Sequence, residues 1–406
     1  MTSKKILIFS LMYHPFVGGA EVAIKEITDR IGSDELEFHM ITSRLDSTLP
    51  KEEKVGKVLV HRVGPGKKGT SVSKSYGILF FFAKALFVPM AAAKAFSLDK
   101  KYSYDGAWAM MTYMLFPIAL LRVLGVRIPY VLSLQEGDPF EHVFGRFHIL
   151  LFRPLLSWGF KNASVVQAIS MYLGKWAQKA GFQGVPRIIP NGVAVGLFSK
   201  EFPQMSLDMV KNELGKKMGD VFLITTSRLV NKNAVDDVIR ALALLPGNVH
   251  FVVLGEGPEA KKLKHLAGVL GVSGRVKFLG HIDHADMPKY LKVADIFIRP
   301  SRSEGMGNSF IEAMAVGLPV IATQEGGIAD FLFDEKKNPV KPVTGWAVEK
   351  DSPKDIARVV KDIVGHQEKM RAVVKTAQEM VKEKYEWGVI AMETRTVFEE
   401  VVQARR

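Results

Sequence analysis

The feature that most restricts the fold of this chain is a regular alternation of strand and helix patterns in its C-terminal half. Short apolar runs rich in β-branched residues are separated by amphipathic helical patterns. This alternation is typical of a parallel sheet covered by helices on both faces, which binds ligands outside the carboxyl ends of its strands. The predicted strands are Val221–Thr226, Val249–Leu254, Val276–Leu279, Ile296–Ile298 and Pro319–Ala322, and the helical patterns span about 235–245, 258–270, 286–293 and 309–316.

The N-terminal half shows a similar but less regular alternation. A chain of 406 residues exceeds the size at which a single hydrophobic core keeps growing, so two domains are expected. We predict an α/β chain of two doubly wound, Rossmann-like domains that face each other across a cleft. The turn Pro190-Asn191-Gly192 indicates the boundary. The N-terminal domain is predicted over 1–196, joined by a C-terminal helix within 387–406, and the second domain over 197–386. The predicted N-terminal strands are Lys5–Phe9, Phe38–Thr42, Val58–Val63, Gly106–Met110, Tyr130–Leu134, Ser164–Ala168 and Arg187–Ile189.

The composition and charge of the chain restrict the class of protein and the partners that it can bind. The chain has no cysteine, which excludes disulfides and thiolate metal sites and is compatible with the cytoplasm. We predict no signal peptide, and we do not expect the apolar stretches Ile78–Phe96 and Trp108–Leu124 to span a membrane. The net charge is +13, and residues 1–190 hold 24 Lys and Arg against 14 Asp and Glu. Such a basic half fits either an anionic partner or a generally basic solvated surface.

The strongest chemical signal is the segment from Arg299 to Thr323, which reads RPSRSEGMGNSFIEAMAVGLPVIAT. It follows a buried strand, passes through a glycine-bearing loop and opens a helix. Gly305 and Gly307 allow a ligand to approach the backbone closely, and the N–H groups at the helix start favour an anion such as a diphosphate. The carboxylates of Glu304 and Glu312 are suited to accept hydrogen bonds from sugar hydroxyls. Alternatively, the glycines form only a turn and both glutamates are solvated.

This segment resembles the Glu-x7-Glu signature of retaining glycosyltransferases of the GT-B fold, most like glycosyltransferase family 4 (glycosyl transferases group 1). Other pieces follow in the order of that family, over about residues 4–400. They are the glycine loop Pro15-Phe-Val-Gly-Gly-Ala-Glu21, the turn Ile189-Pro-Asn-Gly-Val193, the phosphate motif Ser227-Arg-Leu-Val230, and the strand ends Leu254-Gly-Glu-Gly-Pro258 and Phe278-Leu-Gly280.

The resemblance implies roles for individual residues. Glu312 would bind the ribose of the nucleotide, and Glu304 the hydroxyls of the transferred sugar. Arg228 would bind the diphosphate and stabilise the leaving group. Glu304, Arg228 and Lys232 are therefore the predicted catalytic residues. The remaining predicted donor contacts are Gly18 and Gly19, from a loop of the opposite domain, and Gly305, Met306, Gly307, Asn308 and Ser309.

Two positions depart from the family pattern. The family usually has a lysine followed by glycine five residues after the arginine, where this chain has Asn233 and Ala234. We assign the phosphate role to Lys232, with a solvated lysine as the alternative. Many members also place a histidine after the strand that ends near Leu134, but this chain reads Gln135-Glu-Gly-Asp138. Candidate acceptor-side residues are Glu136, Asp138 and His142, each with a capping or surface role as the alternative.

The predicted reaction is transfer of a hexosyl unit from a nucleoside-diphosphate sugar to a hydroxyl of a glycan or lipid-linked acceptor. The resemblance implies retention of the anomeric configuration and a role in polysaccharide or glycolipid biosynthesis. No Asp-x-Asp motif occurs, so we expect neither a metal nor a cofactor beyond the sugar nucleotide. Cationic side chains and helix N–H groups would stabilise the charge of the departing diphosphate.

Three alternatives stay open. A glycoside hydrolase also uses two carboxylates, but it needs no phosphate-binding helix start. A GT-B sugar-nucleotide epimerase or hydrolase would share the donor site. A non-enzymatic protein that binds an anionic polymer fits the charge alone, and the scattered basic residues argue against nucleic acid.

The basic N-terminal half also suggests a peripheral location on the cytoplasmic face of a membrane, where an anionic surface would be a partner. Basic residues precede and interrupt an apolar run, so they can snorkel while apolar side chains meet the lipid. Alternatively, this run is a helix that faces the core of the domain. The residues concerned are Lys67, Lys68, Lys74, Lys84 and Lys94 and the run Ile78–Phe96.

Overall fold

The computed structural model describes residues 3–32, 34–69, 78–145 and 147–404, with the side chains of all of these except 78–81, 147 and 148. It forms two compact units. Unit 1 comprises Met1–Asn191 and Trp387–Arg406, and unit 2 comprises Gly192–Glu386. The chain thus enters unit 2 after Asn191, a little before the predicted boundary after residue 196. Within the described ranges, no helix has both the length and the apolar character needed to cross a membrane.

Unit 1 is built on an eight-stranded sheet. Its strands are β1 (Lys4–Phe9), β2 (Leu36–Ser43), β3 (Glu52–Val55), β4 (Val58–Val63), β5 (Gly106–Met110), β6 (Tyr130–Leu134), β7 (Val165–Ala168) and β8 (Arg187–Ile188). They lie in the order β3-β4-β2-β1-β5-β6-β7-β8, and only the β3–β4 pair is antiparallel. Because the order reverses between β1 and β5, the topological switch point of this sheet lies at the carboxyl ends of those two strands.

The helices of unit 1 connect these strands. They are α1 (Gly19–Arg30), α2 (Ile78–Tyr102), α3 (Leu115–Val123), α4 (Phe140–Phe144), α5 (Phe147–Leu150), α6 (Arg153–Asn162) and α7 (Met171–Ala180). A last helix at the end of the chain, α16 (Trp387–Gln403), also packs on this unit. Its Phe398 is fully buried against Trp108 and Phe38.

Unit 2 contains a six-stranded, wholly parallel sheet. Its strands are β9 (Val221–Thr226), β10 (Val249–Leu254), β11 (Val276–Gly280), β12 (Ile296–Arg299), β13 (Val320–Ala322) and β14 (Trp346–Ala347). They lie in the order β11-β10-β9-β12-β13-β14. The switch point therefore lies between β9 and β12, where Ile296 pairs with Leu223 and Phe297 with Ile224.

Helices cover the sheet of unit 2 because their apolar residues recur with helical spacing. In α10 (Val235–Leu242), the buried residues Val235, Val238, Ile239 and Leu242 form one stripe that packs into the core of the unit. The other helices are α8 (Val195–Phe198), α9 (Gln204–Leu214), α11 (Ala260–Val269), α12 (Met287–Val293), α13 (Asn308–Val316), α14 (Pro353–Gly365) and α15 (Gln367–Lys384).

Candidate donor site in unit 2

The predicted donor residues of unit 2 lie in two loops at its switch point and in helix α13, which follows the second loop. One loop follows β9 and carries Arg228 and Lys232, and the other follows β12 and carries Glu304. The strands are direct neighbours, and Nη1 of Arg299 reaches the carbonyl of Thr226 at 3.5 Å. A switch point is where an open parallel sheet leaves a crevice for a ligand. The fold therefore brings the cationic and the acidic residues of the predicted site together.

The loop after β9 is held by backbone contacts. The N–H of Leu229 donates to the carbonyl of Glu256 at 2.9 Å. A Cβ at Gly257 would lie only 2.2 Å from the carbonyl oxygen of Leu229, so this close approach requires glycine. The exposed side chain of Arg228 thus stands on a fixed backbone.

Asn233 occupies the position at which the resembling family has a lysine, and its side chain has a structural contact. It is buried, and its Nδ2 donates to the carbonyl of Arg228 at 2.6 Å. Ala234, where glycine is usual, adopts a left-handed conformation with φ of 52°. The backbone at Ala234 therefore has the conformation that favours glycine. The lysine of this loop is the half-buried Lys232, one residue before the position at which the family has its lysine.

Arg302 connects the two loops. Its backbone N–H donates to the carbonyl of Lys232 at 2.7 Å. Its guanidinium binds Asp236 at 2.9 Å, Asp237 at 2.8 Å and Asp351 at 2.5 Å. Hydrogen bonds to these carboxylates, led by that to Asp236, raise the pKa of Arg302. Arg302 thereby fixes the loop of Lys232 relative to the loop of Glu304.

Glu304 is held from below by a buried arginine. Its Oε2 accepts a hydrogen bond from Nη2 of Arg299 at 2.6 Å, and its Oε1 accepts one from the N–H of Gly305 at 3.0 Å. Burial lowers the pKa of Arg299, although Glu304 and Glu312 partly offset this effect. The carboxylate has further lone pairs with which to accept hydroxyl hydrogen bonds.

Glu312 lies one turn into α13 and is paired with a histidine. Its Oε1 is 2.9 Å from Nε2 of His284, and the imidazole ring packs on Phe198 at 5.2 Å. The Glu312 side chain is 13% exposed and that of His284 is 52% exposed. His284 therefore covers one side of the carboxylate that is expected to bind ribose.

The start of α13 gives the remaining predicted contacts. Gly307 precedes the helix with φ of 89°, and Asn308 and Ser309 form its first turn. Oγ of Ser309 accepts a hydrogen bond from Arg299 at 2.8 Å. The side chain of Met306 is buried, so only its backbone is available to a donor.

The predicted glycine loop of unit 1 opens α1. Gly18 caps this helix, its N–H donates to Oε2 of Glu21 at 2.8 Å, and Gly19 is the first helical residue. Both glycines are exposed, whereas Glu21 is buried and its pKa is raised by that burial. The exposed helix start is suited to an anion.

Glu136 is buried at the carboxyl end of β6. Its Oε1 accepts hydrogen bonds from the N–H and the Oγ1 of Thr112 at 2.7 and 2.6 Å. Its Oε2 accepts one from the N–H of Gln135 at 3.0 Å, and burial raises the pKa of this carboxyl. Next to Thr112, Met111 has φ of 71° and an exposed side chain. Glu136 thus stabilises a strained residue at the switch point of unit 1.

The other two acceptor-side candidates are more accessible. Asp138 is half-buried in the loop after β6, and His142 is exposed in α4. Helix α4 is anchored by Phe140, which stacks on Phe144 at 4.5 Å and meets Trp176 at 5.3 Å. The carboxyl side of the unit 1 sheet therefore carries all three predicted residues, with only Glu136 enclosed.

Four residues of these sites were missed by the sequence reasoning. Arg299 carried a usable signal, because an arginine at the end of a buried strand needs a carboxylate partner. Arg302, His284 and Met111 gave none, since their roles depend on residues distant in sequence or on the backbone conformation.

A comparison with protein-family models finds a match in unit 2. The model of the family described as Glycosyl transferases group 1 matches residues 208–380. Unit 2 carries a group 1 glycosyl transferase domain. This glycosyl transferase domain includes the loop that carries Arg228 and Lys232 and the segment that carries Glu304 and Glu312.

Individual relatives extend the similarity over the whole chain. An uncharacterized glycosyltransferase of Methanocaldococcus jannaschii is 24% identical over 99% of both chains. A GDP-mannose-dependent monoacylated alpha-(1-6)-phosphatidylinositol monomannoside mannosyltransferase of Corynebacterium glutamicum is 27% identical over 56% of this chain and 60% of its own length. The structure of Anabaena HepE in complex with UDP-glucose superposes with a TM-score of 0.74, 20% identity and coverage of 97% and 99%. The fold is GT-B, as predicted from the sequence.

Proposed function

We propose that this group 1 glycosyltransferase transfers a hexosyl unit from a nucleoside-diphosphate sugar to an acceptor hydroxyl, with retention and without a metal ion. The observation that carries the proposal is the switch point of unit 2. There, Arg228 and Lys232 lie in the loop beside the one that presents Glu304. This arrangement combines charge for a diphosphate with a carboxylate for a sugar.

The chemical step is departure of the nucleoside diphosphate from the anomeric carbon. Negative charge grows on the diphosphate, and the proposed partners of that charge are Arg228, Lys232 and the N–H groups at the start of α13. Glu304 would orient the sugar and Glu312 the ribose. These cationic groups supply the charge stabilisation for which other glycosyltransferases use a metal.

A thermal-shift screen with UDP, GDP and ADP and their hexose derivatives tests the donor assignment. A ligand that binds only the folded state raises Tm. We expect one nucleotide series to raise Tm, with the shift unchanged by EDTA. A shift that EDTA abolishes and a divalent ion restores contradicts the metal-free reaction. Release of free sugar or an isomerised sugar nucleotide at full rate without acceptor favours the hydrolase or epimerase alternative.

The acceptor is proposed to be a glycan or a lipid-linked saccharide in polysaccharide or glycolipid biosynthesis. Support comes from the name of the Corynebacterium relative, which acts on a phosphatidylinositol mannoside. Incubation of the enzyme with labelled donor and a membrane extract tests this class, because a glycolipid product partitions into organic solvent. Label found only in water-soluble product contradicts a lipid-linked acceptor.

A peripheral membrane location on the cytoplasmic face is proposed with the lipid acceptor. In α2, Phe82 and Leu86 are exposed, whereas Phe87 is buried in the core of unit 1. At Phe82 and Leu86 this helix thus presents apolar side chains to the surroundings, whereas Phe87 faces the core. Lys67 and Lys68 are exposed, and Lys74 lies outside the described residues.

Co-sedimentation with liposomes tests the membrane proposal. We expect binding to anionic vesicles that weakens with salt and in Lys67→Glu/Lys68→Glu, since each lysine near an anionic surface contributes about 1 kcal/mol. The matched control is Lys375→Glu, an exposed lysine of unit 2. Absence of binding to both anionic and neutral vesicles contradicts the proposal and leaves a soluble acceptor.

A further inference from the structure

We propose that Arg299 is a positioning residue of the donor site, which holds the Glu304 carboxylate in the orientation that receives the transferred sugar. The inference rests on the proposed function and adds to it a residue that does not itself touch the substrate. It is carried by the contacts of one buried guanidinium at the last position of β12.

The first observation is the number of parts of the site that Arg299 joins. Its Nη2 donates to Glu304 at 2.6 Å and its Nη1 to Ser309 at 2.8 Å. Its Nη1 is also 3.5 Å from the carbonyl of Thr226. One planar group thereby contacts the end of β9, the sugar-binding loop and the first turn of α13. Its shortest contact is the charged one to Glu304, and the contact to the end of β9 is the longest.

The second observation is that the site is built around this guanidinium. Arg299 is 6% exposed and lies over the ring of Phe310 with a 4.1 Å separation. A Cβ at Gly307 would lie 2.5 Å from Nη2, so the backbone at the start of α13 passes directly over the charge. The rotamer of Arg299 is therefore fixed by packing on the ring and beneath the backbone.

The third observation is electrostatic. The positive end of the α13 dipole disfavours a buried cation, so the placement of Arg299 needs a compensating anion. Glu304 is in direct contact, and Glu312 acts at longer range. Because Nη2 binds Oε2 and the N–H of Gly305 binds Oε1, both oxygens of Glu304 are oriented. The lone pairs that remain are directed by the arginine and not by solvent.

This arrangement separates the binding of sugar from the binding of nucleotide. Glu304 is proposed to contact only the sugar. A displaced Glu304 carboxylate therefore weakens binding of the sugar nucleotide but does not weaken binding of a nucleoside diphosphate that lacks the sugar. A general structural role of Arg299 would weaken both ligands equally. The ratio of the two dissociation constants therefore distinguishes positioning from stability.

The experiment measures Kd by calorimetry for UDP and UDP-glucose, for GDP and GDP-mannose, and for ADP and ADP-glucose, in wild type, R299M and R299K. In R299M we expect Kd of the bound sugar nucleotide to rise roughly ten-fold or more, and Kd of its nucleoside diphosphate by less than about three-fold. R299K retains the charge but not the forked geometry. Its ratio of sugar-nucleotide Kd to nucleoside-diphosphate Kd should therefore lie between those of wild type and R299M. The matched control is R275M, because Arg275 donates only to carbonyls such as that of Leu242 and lies away from the site. R275M should leave the ratio unchanged.

A second measurement needs no ligand. Removal of Arg299 leaves the Glu304 charge without its partner, so R299M/E304Q should melt at a higher temperature than R299M, whereas E304Q alone should melt below wild type. If the loss of Tm in R299M/E304Q equals the sum of the losses in R299M and E304Q, the pairing of Arg299 with Glu304 is contradicted. A bound donor whose Kd ratio is unchanged in R299M overturns this inference alone. A wild-type chain that binds none of the six UDP, GDP and ADP ligands overturns the proposed function.

Discussion

At the scale of single residues, Glu312, the proposed ribose contact, is a largely buried carboxylate with one hydrogen-bonded oxygen. Its carboxylate is largely buried in α13, yet one oxygen is paired with the exposed imidazole of His284. A buried carboxylate costs free energy unless it is hydrogen-bonded, and the histidine supplies that bond. The second oxygen has its acceptor capacity available for a ribose hydroxyl.

We therefore expect Glu312→Ala to weaken binding of the nucleoside diphosphate itself. Loss of one charge-assisted bond corresponds to roughly 1.5–3 kcal/mol, or about ten-fold or more in Kd. Calorimetry with UDP or GDP measures the effect. The control is Glu379→Ala on the exposed face of α15. Equal affinity of Glu312→Ala and wild type would exclude the ribose contact.

Lys232 and Asn233 are neighbours with different expected consequences. Lys232→Ala should lower turnover more than it weakens donor binding, because the charge of the diphosphate grows in the transition state. Asn233→Ala should instead lower Tm, since the buried amide that binds the carbonyl of Arg228 is lost, at a cost of about 1–3 kcal/mol. Steady-state kinetics and thermal melts separate the two. Full turnover in Lys232→Ala would return the phosphate role to another residue of the loop.

At the scale of elements, two loops and the start of α10 are joined by Arg302. Two of the carboxylates that Arg302 binds, those of Asp236 and Asp237, are adjacent in the chain. Their proximity makes the stability of the fold depend on pH. Burial, and then the neighbouring charge of Asp236, raise the pKa of Asp237 from 3.8 to about 6, although Arg302 opposes the shift. The folded state therefore binds a proton at Asp237 more tightly than the unfolded state does.

The sign of the effect follows from that difference. The stabilisation from protonated Asp237 is fully present below about pH 4 and is lost as the pH rises through about 6. Asp237→Asn removes this term. The free energy of unfolding of the variant relative to wild type should thus rise by about 2–3 kcal/mol between pH 4 and pH 7. Urea melts across that range measure it, and a difference that does not depend on pH contradicts the shift.

Five of the six strands of unit 2 were predicted because buried parallel strands are continuous apolar runs. The sequence reasoning did not predict β14, α8, α9, α14 and α15. Val221–Thr226 and Val249–Leu254 have the predicted bounds, and helix α13 begins one residue before its predicted pattern. Strand β3 was missed because Glu52–Val55 is a polar edge strand with no apolar run. The predicted site residues of unit 2 came together at one switch point, as strand order alone implies. Arg302 could not be predicted, since its partners Asp236 and Asp351 are 66 and 49 residues away in the chain.

At the scale of the whole molecule, the chain leaves unit 1 and returns to it. It enters unit 2 after Asn191 and re-enters unit 1 at Trp387. Inside unit 2 the two ends are joined, because the N–H of Val193 donates to the carbonyl of Tyr385 at 2.7 Å. The amphipathic helix that the sequence predicts within 387–406 packs on unit 1 as α16. Unit 1 thus includes a helix that follows unit 2 in the chain.

This connectivity makes Phe398 a test of how the two units share stability. Its ring lies 5.0 Å from that of Trp108 and 5.8 Å from that of Phe38, with no exposed surface. Phe398→Ala should destabilise unit 1 by about 3–5 kcal/mol, because the cavity cannot close fully. Hydrogen exchange followed by mass spectrometry should then show faster exchange in β1, β2 and β5 and unchanged exchange in the core strands of unit 2. Met392→Ala, on the exposed side of the same helix, should change neither. Equal acceleration in both units would mean that they unfold as one cooperative body and that α16 stabilises unit 2 as well.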